Sequence, residues 1–139
     1  MVTNIFVNLP VKNLTVSMDF FKKIGFTFNE QFTDETAAGL VLSEGHYVML
    51  LTHEKFNSFV KKEIADTSKV IESITAFQVE SHEEVDTLME KVLEAGGKEQ
   101  RDPYDYGFMY GRAFYDPDGH TWEVFFMDIS KMPEKEELQ

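Results

Sequence analysis

Residue types that could support metal or nucleophilic chemistry are few in this chain. The histidines are His46, His53, His82 and His120, and there is no cysteine. None of them repeats the His-x-His or His-x-x-x-His spacing that puts two imidazoles on one face of a strand or helix. They stand beside predicted turns, at a helix start or past a strand end. We therefore expect surface imidazoles rather than a histidine metal site.

A candidate catalytic carboxylate is Glu123, which lies between Trp122 and Val124 in a β-rich run. Facing a cavity, it can act as a general base or bind a cationic ligand. It can equally be hydrogen-bonded within the sheet or face outward, because apolar residues on both sides leave its face undetermined. Neither a Ser/His/Asp triad nor a Gly-rich phosphate loop accompanies it.

A second candidate is the aromatic run at residues 104–112, YDYGFMYGR, which includes Tyr110 and Arg112. Its rings can form a lid for a flat or cationic ligand. They can equally pack over the fold or at a subunit contact. Arg112 can bind a ligand carboxylate, but an internal ion pair with Asp105 or Asp116 is the commoner outcome.

The elements that must position these residues follow the order β-α-β-β-β twice. In the first half, predicted elements cover residues 5–11, 14–24 (a helix capped by Asn13 or Thr15), 26–32, 36–42 and 47–52. In the second half they cover 71–79, a helix from the Ser81–Glu84 capping box to Gly96, and strands 98–101, 110–115 and 120–127.

Two similar halves indicate internal duplication within one domain. The boundaries are module one at about 3–53, a linker at about 54–69, module two at about 70–128 and an acidic tail at 129–139. Apolar residues hint at one amphipathic helix over 55–66 in the linker. The predicted fold class is α+β.

Composition excludes several classes of function. The chain has 139 residues, with 13 basic and 25 acidic side chains and a net charge of −12. That balance argues against nucleic acid, which requires a Lys/Arg footprint, and against an anionic membrane surface. No apolar run approaches the roughly 20 residues of a membrane span, and the N-terminus lacks the pattern of a signal peptide. We expect a cytoplasmic protein.

Two segments of the sequence resemble segments of the vicinal oxygen chelate superfamily, which includes glyoxalases, extradiol dioxygenases and bleomycin-resistance proteins. Residues 114–124, FYDPDGHTWEV, are similar to its closing hairpin, and residues 6–14, FVNLPVKNL, to its first strand. The chain is most similar to the subgroup labelled predicted lactoylglutathione lyases. The resemblance implies two β-α-β-β-β modules that form an open barrel around one cavity.

Metal-dependent members place one ligand, typically His or Glu, on each module's first and last strand. The resemblance assigns these positions to Phe6 and Ile74, to Leu50 (or Met49, counting from Gly45), and to Glu123. Only Glu123 can ligate a metal through its side chain, since the others are apolar. Asn8, two residues after Phe6 on the same strand face, is a plausible polar contact.

The sequence thus predicts a metal-independent protein that binds a small molecule, with no cofactor. Its expected cavity residues are Phe6, Asn8, Leu50, Ile74, Tyr110, Arg112 and Trp122, with Glu123 as the one fixed charge, which would favour a flat cationic ligand. The alternative is a glyoxalase-type lyase, isomerase or dioxygenase with an atypical divalent-metal site. Whether the protein is an enzyme stays open at this point. The resemblance also implies a homodimer, since two-fold pairing is the commonest way to cover open sheet edges.

Overall fold

The structure is a computed structural model that describes residues 1–135. Its strands and α-helices, in chain order, are β1 Ile5–Val11, α1 Leu14–Lys23, β2 Thr27–Asn29, β3 Ala37–Ser43, β4 His46–Thr52, α2 His53–Asn57, β5 Ile74–Gln78, α3 His82–Glu94, β6 Lys98–Asp105, β7 Met109–Tyr115 and β8 Thr121–Met127. Single 3₁₀ turns follow β2 at Glu30–Phe32 and β8 at Ile129–Lys131.

The chain divides into two compact units. Unit 1 contains residues 1–72 and the turn Pro117–Gly119, and unit 2 contains residues 73–116 and the described residues from 120 to 135. Each unit has one four-stranded mixed sheet, in the order β1-β4-β3-β2 in unit 1 and β5-β8-β7-β6 in unit 2. The first and last strands of each unit pair in parallel, and the other pairs are antiparallel. The α+β class and the repeated β-α-β-β-β order are therefore confirmed.

Unit 1 buries one face of its sheet under α1. The helix is capped by Asn13, whose side chain accepts from the backbone N–H of Val16 at 3.2 Å, and its inward face carries Phe20 and Phe21. The register puts Leu9 and Leu50 on that face, where both are buried. Apolar residues at helical spacing and at alternate strand positions produce this packing.

The turn Pro117–Gly119 is held to unit 1 by the carboxylate of Asp118. Its Oδ1 accepts from the backbone N–H of Lys12 at 2.7 Å, and its Oδ2 accepts from the hydroxyl of Ser17, also at 2.7 Å. Ser17 is buried, so this acceptor satisfies a hydroxyl that has little access to water.

Unit 2 buries the other long helix, α3, through Val85, Met89 and Val92. The capping residue Ser81 accepts from the backbone N–H of Glu84 at 3.1 Å, as the sequence predicts. The return bond differs from the expected one, because the Glu84 carboxylate accepts from Glu80 at 2.7 Å rather than from Ser81.

Four predicted elements are wrong in extent. The strand predicted at 71–79 covers only Ile74–Gln78. The linker helix covers only His53–Asn57, because Phe59 and Val60 beyond it are exposed and have no core to bury against. The strand predicted at 26–32 ends at Asn29, whose side chain caps the following 3₁₀ turn through Gln31 at 2.9 Å. The short strand predicted at 98–101 extends to Asp105. Of the predicted tail 129–139, residues 136–139 lie outside the described residues.

Candidate functional site

The strand registers decide which residues correspond between the two units. Phe6 pairs with Tyr47 in unit 1, and Ile74 pairs with Thr121 in unit 2. Two residues further along the last strands come Met49 and Glu123, each on the same face as the first-strand residue of its unit. Of the two residues that the sequence leaves open, the register therefore favours Met49 as the counterpart of Glu123.

Leu50 is not brought together with the other expected cavity residues of unit 1. It pairs with Leu9 on the face covered by α1 and is fully buried, whereas Phe6 and Asn8 lie on the opposite face. Because successive strand residues alternate between faces, a shift of one residue transfers a side chain from site to core. Leu50 is a core residue.

The face of unit 2 that carries Glu123 also carries Tyr104 and Arg101. The side chain of Glu123 is 15% exposed, and its Oε1 accepts a hydrogen bond from the Tyr104 hydroxyl. Arg101 Nη2 lies 3.6 Å from the same oxygen, and the guanidinium is centred 4.6 Å from the middle of the Tyr104 ring. Glu123 is thus hydrogen-bonded and has a positive charge beside it.

Tyr104 reaches Glu123 because the sheet leaves room for its ring. Tyr104 pairs across the strands with Gly111, and a Cβ added to Gly111 would come within 2.7 Å of the ring carbon Cε1. The ring therefore lies directly on the β7 backbone, a position that only glycine permits. The register of β6 shifts on both sides of Arg101, between Glu99 and Tyr104, which re-aims the strand's side chains.

The prediction of a cationic ligand rested on Glu123 as the only fixed charge of an apolar floor, and the structure contradicts that premise. Arg101 already supplies a positive charge to the carboxylate. Desolvation, reinforced by the hydrogen bond to Glu123, raises the pKa of Tyr104 well above its usual value, so the phenol stays a neutral donor. The local chemistry is that of a neutral donor, a carboxylate and a guanidinium.

Tyr110 and Arg112 lie on the other face of unit 2, next to α3. Arg112 donates to both carboxylate oxygens of Glu99 at 2.9 and 3.0 Å, and to Asp86 of α3 at 3.1 Å. The Tyr110 hydroxyl donates to Asp86 at 2.6 Å. The expected internal ion pair of Arg112 exists, but its partners are Glu99 and Asp86 rather than Asp105 or Asp116.

The groups of this cluster, Arg112, Tyr110 and Asp86, shift one another's pKa values. Hydrogen bonding to Glu99 raises the pKa of Arg112 further above its usual value. Partial burial raises the pKa of Tyr110 to about 12, with the hydrogen bond to Asp86 adding to the effect. Burial alone would raise the pKa of Asp86, but hydrogen bonds from Tyr110 and Arg112 outweigh it and lower that pKa. The cluster ties α3 to the sheet and lies on the face opposite to Glu123.

Trp122 is a core residue. It is fully buried, its ring stacks parallel to Phe114 with centroids 6.3 Å apart, and its Nε1 donates to Asp116 Oδ2 at 2.9 Å. It pairs with Thr75 and Phe114, one residue away from Glu123 and therefore on the opposite face. Trp122 supports the sheet that positions Glu123 and does not line its face.

The aromatic run forms the β6–β7 hairpin rather than a long loop. Tyr104, Tyr106 and Phe108 follow one another with ring centroids 5.3 and 6.4 Å apart. Gly107 at the tip has a φ of 83°, and its N–H donates to Asp105 at 2.8 Å. Tyr106 is 64% exposed, so the end of this row of rings is open to solvent.

The corresponding face of unit 1 is aromatic and uncharged. Phe6 stacks on Tyr47 with centroids 4.9 Å apart, and Phe32 meets both rings edge-on at 5.5 and 5.6 Å. Asn8 follows on the same face, where its amide donates to the backbone oxygen of Phe6 at 3.3 Å. Phe6 and Asn8 do share a face, as the sequence predicts, and Phe6 is 42% exposed.

The metal positions of the resemblance carry side chains that do not fit a metal ion. Phe6, Met49 and Ile74 offer no hard or borderline donor, and a single carboxylate does not make a site. Within residues 1–135, no three His, Asp or Glu side chains group in a way that could hold a metal. His82 stacks on Tyr110 at 3.5 Å, and His46 shares a hydrogen bond with Ser43 at 2.7 Å.

Sequence reasoning missed Arg101 and gave Tyr104 only a general place in an aromatic run. Their roles depend on the irregular β6–β7 register, which alternation does not reveal. A signal was nevertheless present, since Gly111 in the middle of a strand indicates close approach by another group.

The fold and this face define a class: an α+β protein with the order β-α-β-β-β twice, one four-stranded mixed sheet in each unit, and a partly buried carboxylate on one face of the second sheet. The family model of the Glyoxalase/Bleomycin resistance protein/Dioxygenase superfamily matches residues 5–124, and the chain belongs to that superfamily. None of the curated proteins matches it in sequence.

Solved structures share the fold of this chain. A hypothetical protein, SA1046, from S. aureus has 30% identity and a TM-score of 0.77, with 91% of this chain and 95% of that chain covered. A glyoxalase-related enzyme from Fulvimarina pelagi has 24% identity and a TM-score of 0.73, with 87% and 85% covered. A glyoxalase/bleomycin resistance protein/dioxygenase family enzyme from Burkholderia phytofirmans PsJN has 19% identity and a TM-score of 0.73, with 88% and 96% covered. The last two show likeness of fold alone.

Helices that could span a lipid bilayer, being both long and apolar enough, do not occur in residues 1–135.

Proposed function

We propose that the protein binds a small organic molecule without a metal ion, on the Glu123 face of unit 2. The observation that carries the proposal is the state of Glu123, the one carboxylate among the four family ligand positions. Its oxygen is engaged by the Tyr104 hydroxyl and lies near Arg101. Polar groups that converge beside aromatic rings are typical of small-molecule sites. The proposal assigns binding and no reaction.

Metal content is the first test. The protein is expressed in medium supplemented with zinc, nickel, iron and manganese, purified without chelator, and analysed for metals. We expect only traces, and no lactoylglutathione formation from methylglyoxal and glutathione. A transition metal present in equal amount to the chain and removable by chelator would favour the alternative, a glyoxalase-type lyase, isomerase or dioxygenase with an atypical site.

Ligand binding is the second test. A panel of flat neutral, cationic and anionic molecules is screened for an increase in the melting temperature, since a ligand that binds only the folded state stabilises it. Hits are repeated on Glu123→Gln, which should lose most of the increase while keeping the wild-type fold. Equal stabilisation of the variant would place the ligand elsewhere and contradict the proposal.

We also propose that the chain forms a homodimer. β1 is at the edge of its sheet, and its residues Ile5, Phe6 and Val7 are 50%, 42% and 39% exposed although all three are apolar. Exposed apolar edge strands are usually covered by a partner. Light scattering at micromolar concentration tests this, and a mass near 16.1 kDa would contradict it. A cytoplasmic location, which the absence of cysteine favours, is tested by cell fractionation.

A further inference from the structure

We propose that Tyr104 is a displaceable gate over Glu123, and that its ring is replaced by a flat, uncharged ring bearing an O–H or N–H donor. This inference rests on the proposed binding function of the Glu123 face. It adds which group must move and which chemical class takes its place.

The surroundings of the Tyr104 ring have the form of a slot for one flat group. At its end, Glu123 Oε1 accepts the phenol hydrogen bond. One side of the ring lies on the β7 backbone at Gly111, where no side chain intervenes. The guanidinium of Arg101 lies over the ring, 4.6 Å from its centroid. A ligand ring that took this place would find an acceptor, a backbone floor and a cation above it.

The segment that carries Tyr104 lies at the edge of its sheet. β6 is one of the two edge strands of unit 2, so β7 is the only strand that pairs with it in the sheet. Its pairing is irregular between Arg101 and Tyr104, where Pro103 has no N–H to donate to the ladder. Tyr104 itself is half-buried, and the next ring of the row, Tyr106, is 64% exposed. Rotation of one side chain toward solvent thus breaks one hydrogen bond and leaves the inner strands untouched.

The charges around the slot select for a neutral ring. Arg101 Nη2 is 3.6 Å from Glu123 Oε1, so a cation placed in the slot would face the guanidinium at short range. An anion would face the carboxylate. A neutral ring with a donor makes the same hydrogen bond to Glu123 as the Tyr104 hydroxyl. Like charges that face each other across a binding site lower the affinity.

The test uses three probes of one shape: 4-methylphenol, which is the tyrosine side chain itself, toluene, which lacks the donor, and 4-methylbenzamidine, which is cationic. Their affinities are measured by calorimetry on the wild type, on Tyr104→Phe, and on Tyr106→Phe as the matched control. Tyr104→Phe keeps the ring but removes its bond to Glu123, so the gate opens more easily.

We expect Tyr104→Phe to bind 4-methylphenol roughly fivefold more tightly than the wild type, the equivalent of about 1 kcal/mol for the lost hydrogen bond. Tyr106→Phe should match the wild type, and toluene and 4-methylbenzamidine should bind more weakly than 4-methylphenol. Weaker binding to Tyr104→Phe would mean that Tyr104 is a wall of the site, which overturns the gate and leaves the binding function standing. Equal affinity for the three probes would overturn the ligand class.

A second measurement does not depend on that variant's stability. In protein labelled with 3-fluorotyrosine, the ¹⁹F resonance of Tyr104 should move toward the solvent-exposed value as 4-methylphenol saturates the wild type. Binding with an unmoved Tyr104 resonance overturns the gate alone. No binding of any of the three probes to any form of the protein overturns the gate and its ligand class, whereas the proposed function is overturned only when no member of the wider panel stabilises the wild type more than Glu123→Gln.

Discussion

Replacing Arg112 with methionine should cost the protein much of its stability, although the residue is far from the Glu123 face. Its side chain is 17% exposed and makes three hydrogen bonds of 2.9–3.1 Å to Glu99 and Asp86. Removing one partner of a buried ion pair costs about 3–5 kcal/mol, and removing an exposed one costs about 0.2–1 kcal/mol. Glu99 and Asp86 are 29% and 41% exposed.

An intermediate value of about 2 kcal/mol is therefore expected, which corresponds to a drop of roughly 6 °C in Tm for a chain of this length. Urea unfolding followed by the fluorescence of the single tryptophan, buried Trp122, measures it. Arg101→Met is the control, because that arginine is 47% exposed and should cost less than about 1 kcal/mol. Equal losses in the two variants would refute the reasoning.

The difference in the free energy of unfolding between the wild type and Arg112→Met should depend on pH. The pKa of Asp86 is lowered in the folded state, so its contribution to stability is present above the ordinary carboxyl pKa of 3.8 and is lost as the pH falls through the lower folded value. The stability gap between wild type and Arg112→Met should thus shrink in the range below about pH 4. A gap that stays constant there would assign the loss to packing rather than charge.

Two further substitutions test the helix cap and the core packing of unit 2. Ser81→Ala should lower the free energy of unfolding by about 1 kcal/mol in urea, since it removes the acceptor for the N–H of Glu84 at the start of α3; no change would mean that water replaces the cap. Trp122→Phe should lower it by about 2–4 kcal/mol, since it opens a cavity and removes the donor to Asp116, and a loss below that of Ser81→Ala would contradict the packing described.

Most of the fold could be predicted from local features of the sequence, namely helix caps and the spacing of apolar residues. α1 and α3 each begin at a residue whose side chain caps the helix, Asn13 or Ser81, and each buries a stripe at helical spacing. The prediction of a linker helix over 55–66 was wrong in extent, although the spacing of its apolar residues resembles that of α1 and α3. Phe59 is 67% exposed and Lys55 Nζ lies 5.4 Å from its ring centroid, so the ring is not buried in an apolar core. An amphipathic stripe without an apolar partner surface does not stabilise a helix.

Less of the candidate site than of the fold could be predicted from the sequence. Which face Glu123 occupies depends on register, and Leu50 and Met49 differ by one residue yet lie on opposite faces. The contact between Tyr104 and Gly111 crosses two strands whose pairing is irregular, so neither residue predicts the other from spacing. The ion pairs of Arg112 likewise join three elements, β7, β6 and α3, across 13 and 26 residues, which is beyond the reach of strand or helix periodicity.

The bonds of Asp118 to Lys12 and Ser17 impose an order on the folding of unit 1. They join residues 106 and 101 positions apart. While the ribosome is still adding those residues, unit 1 has every strand and helix of its own, but the buried hydroxyl of Ser17 has not met its carboxylate acceptor. Contacts so far apart in sequence form late and slow folding. A nascent chain halted at residue 72 therefore carries a unit 1 that lacks the turn Pro117–Gly119 and both hydrogen bonds of Asp118.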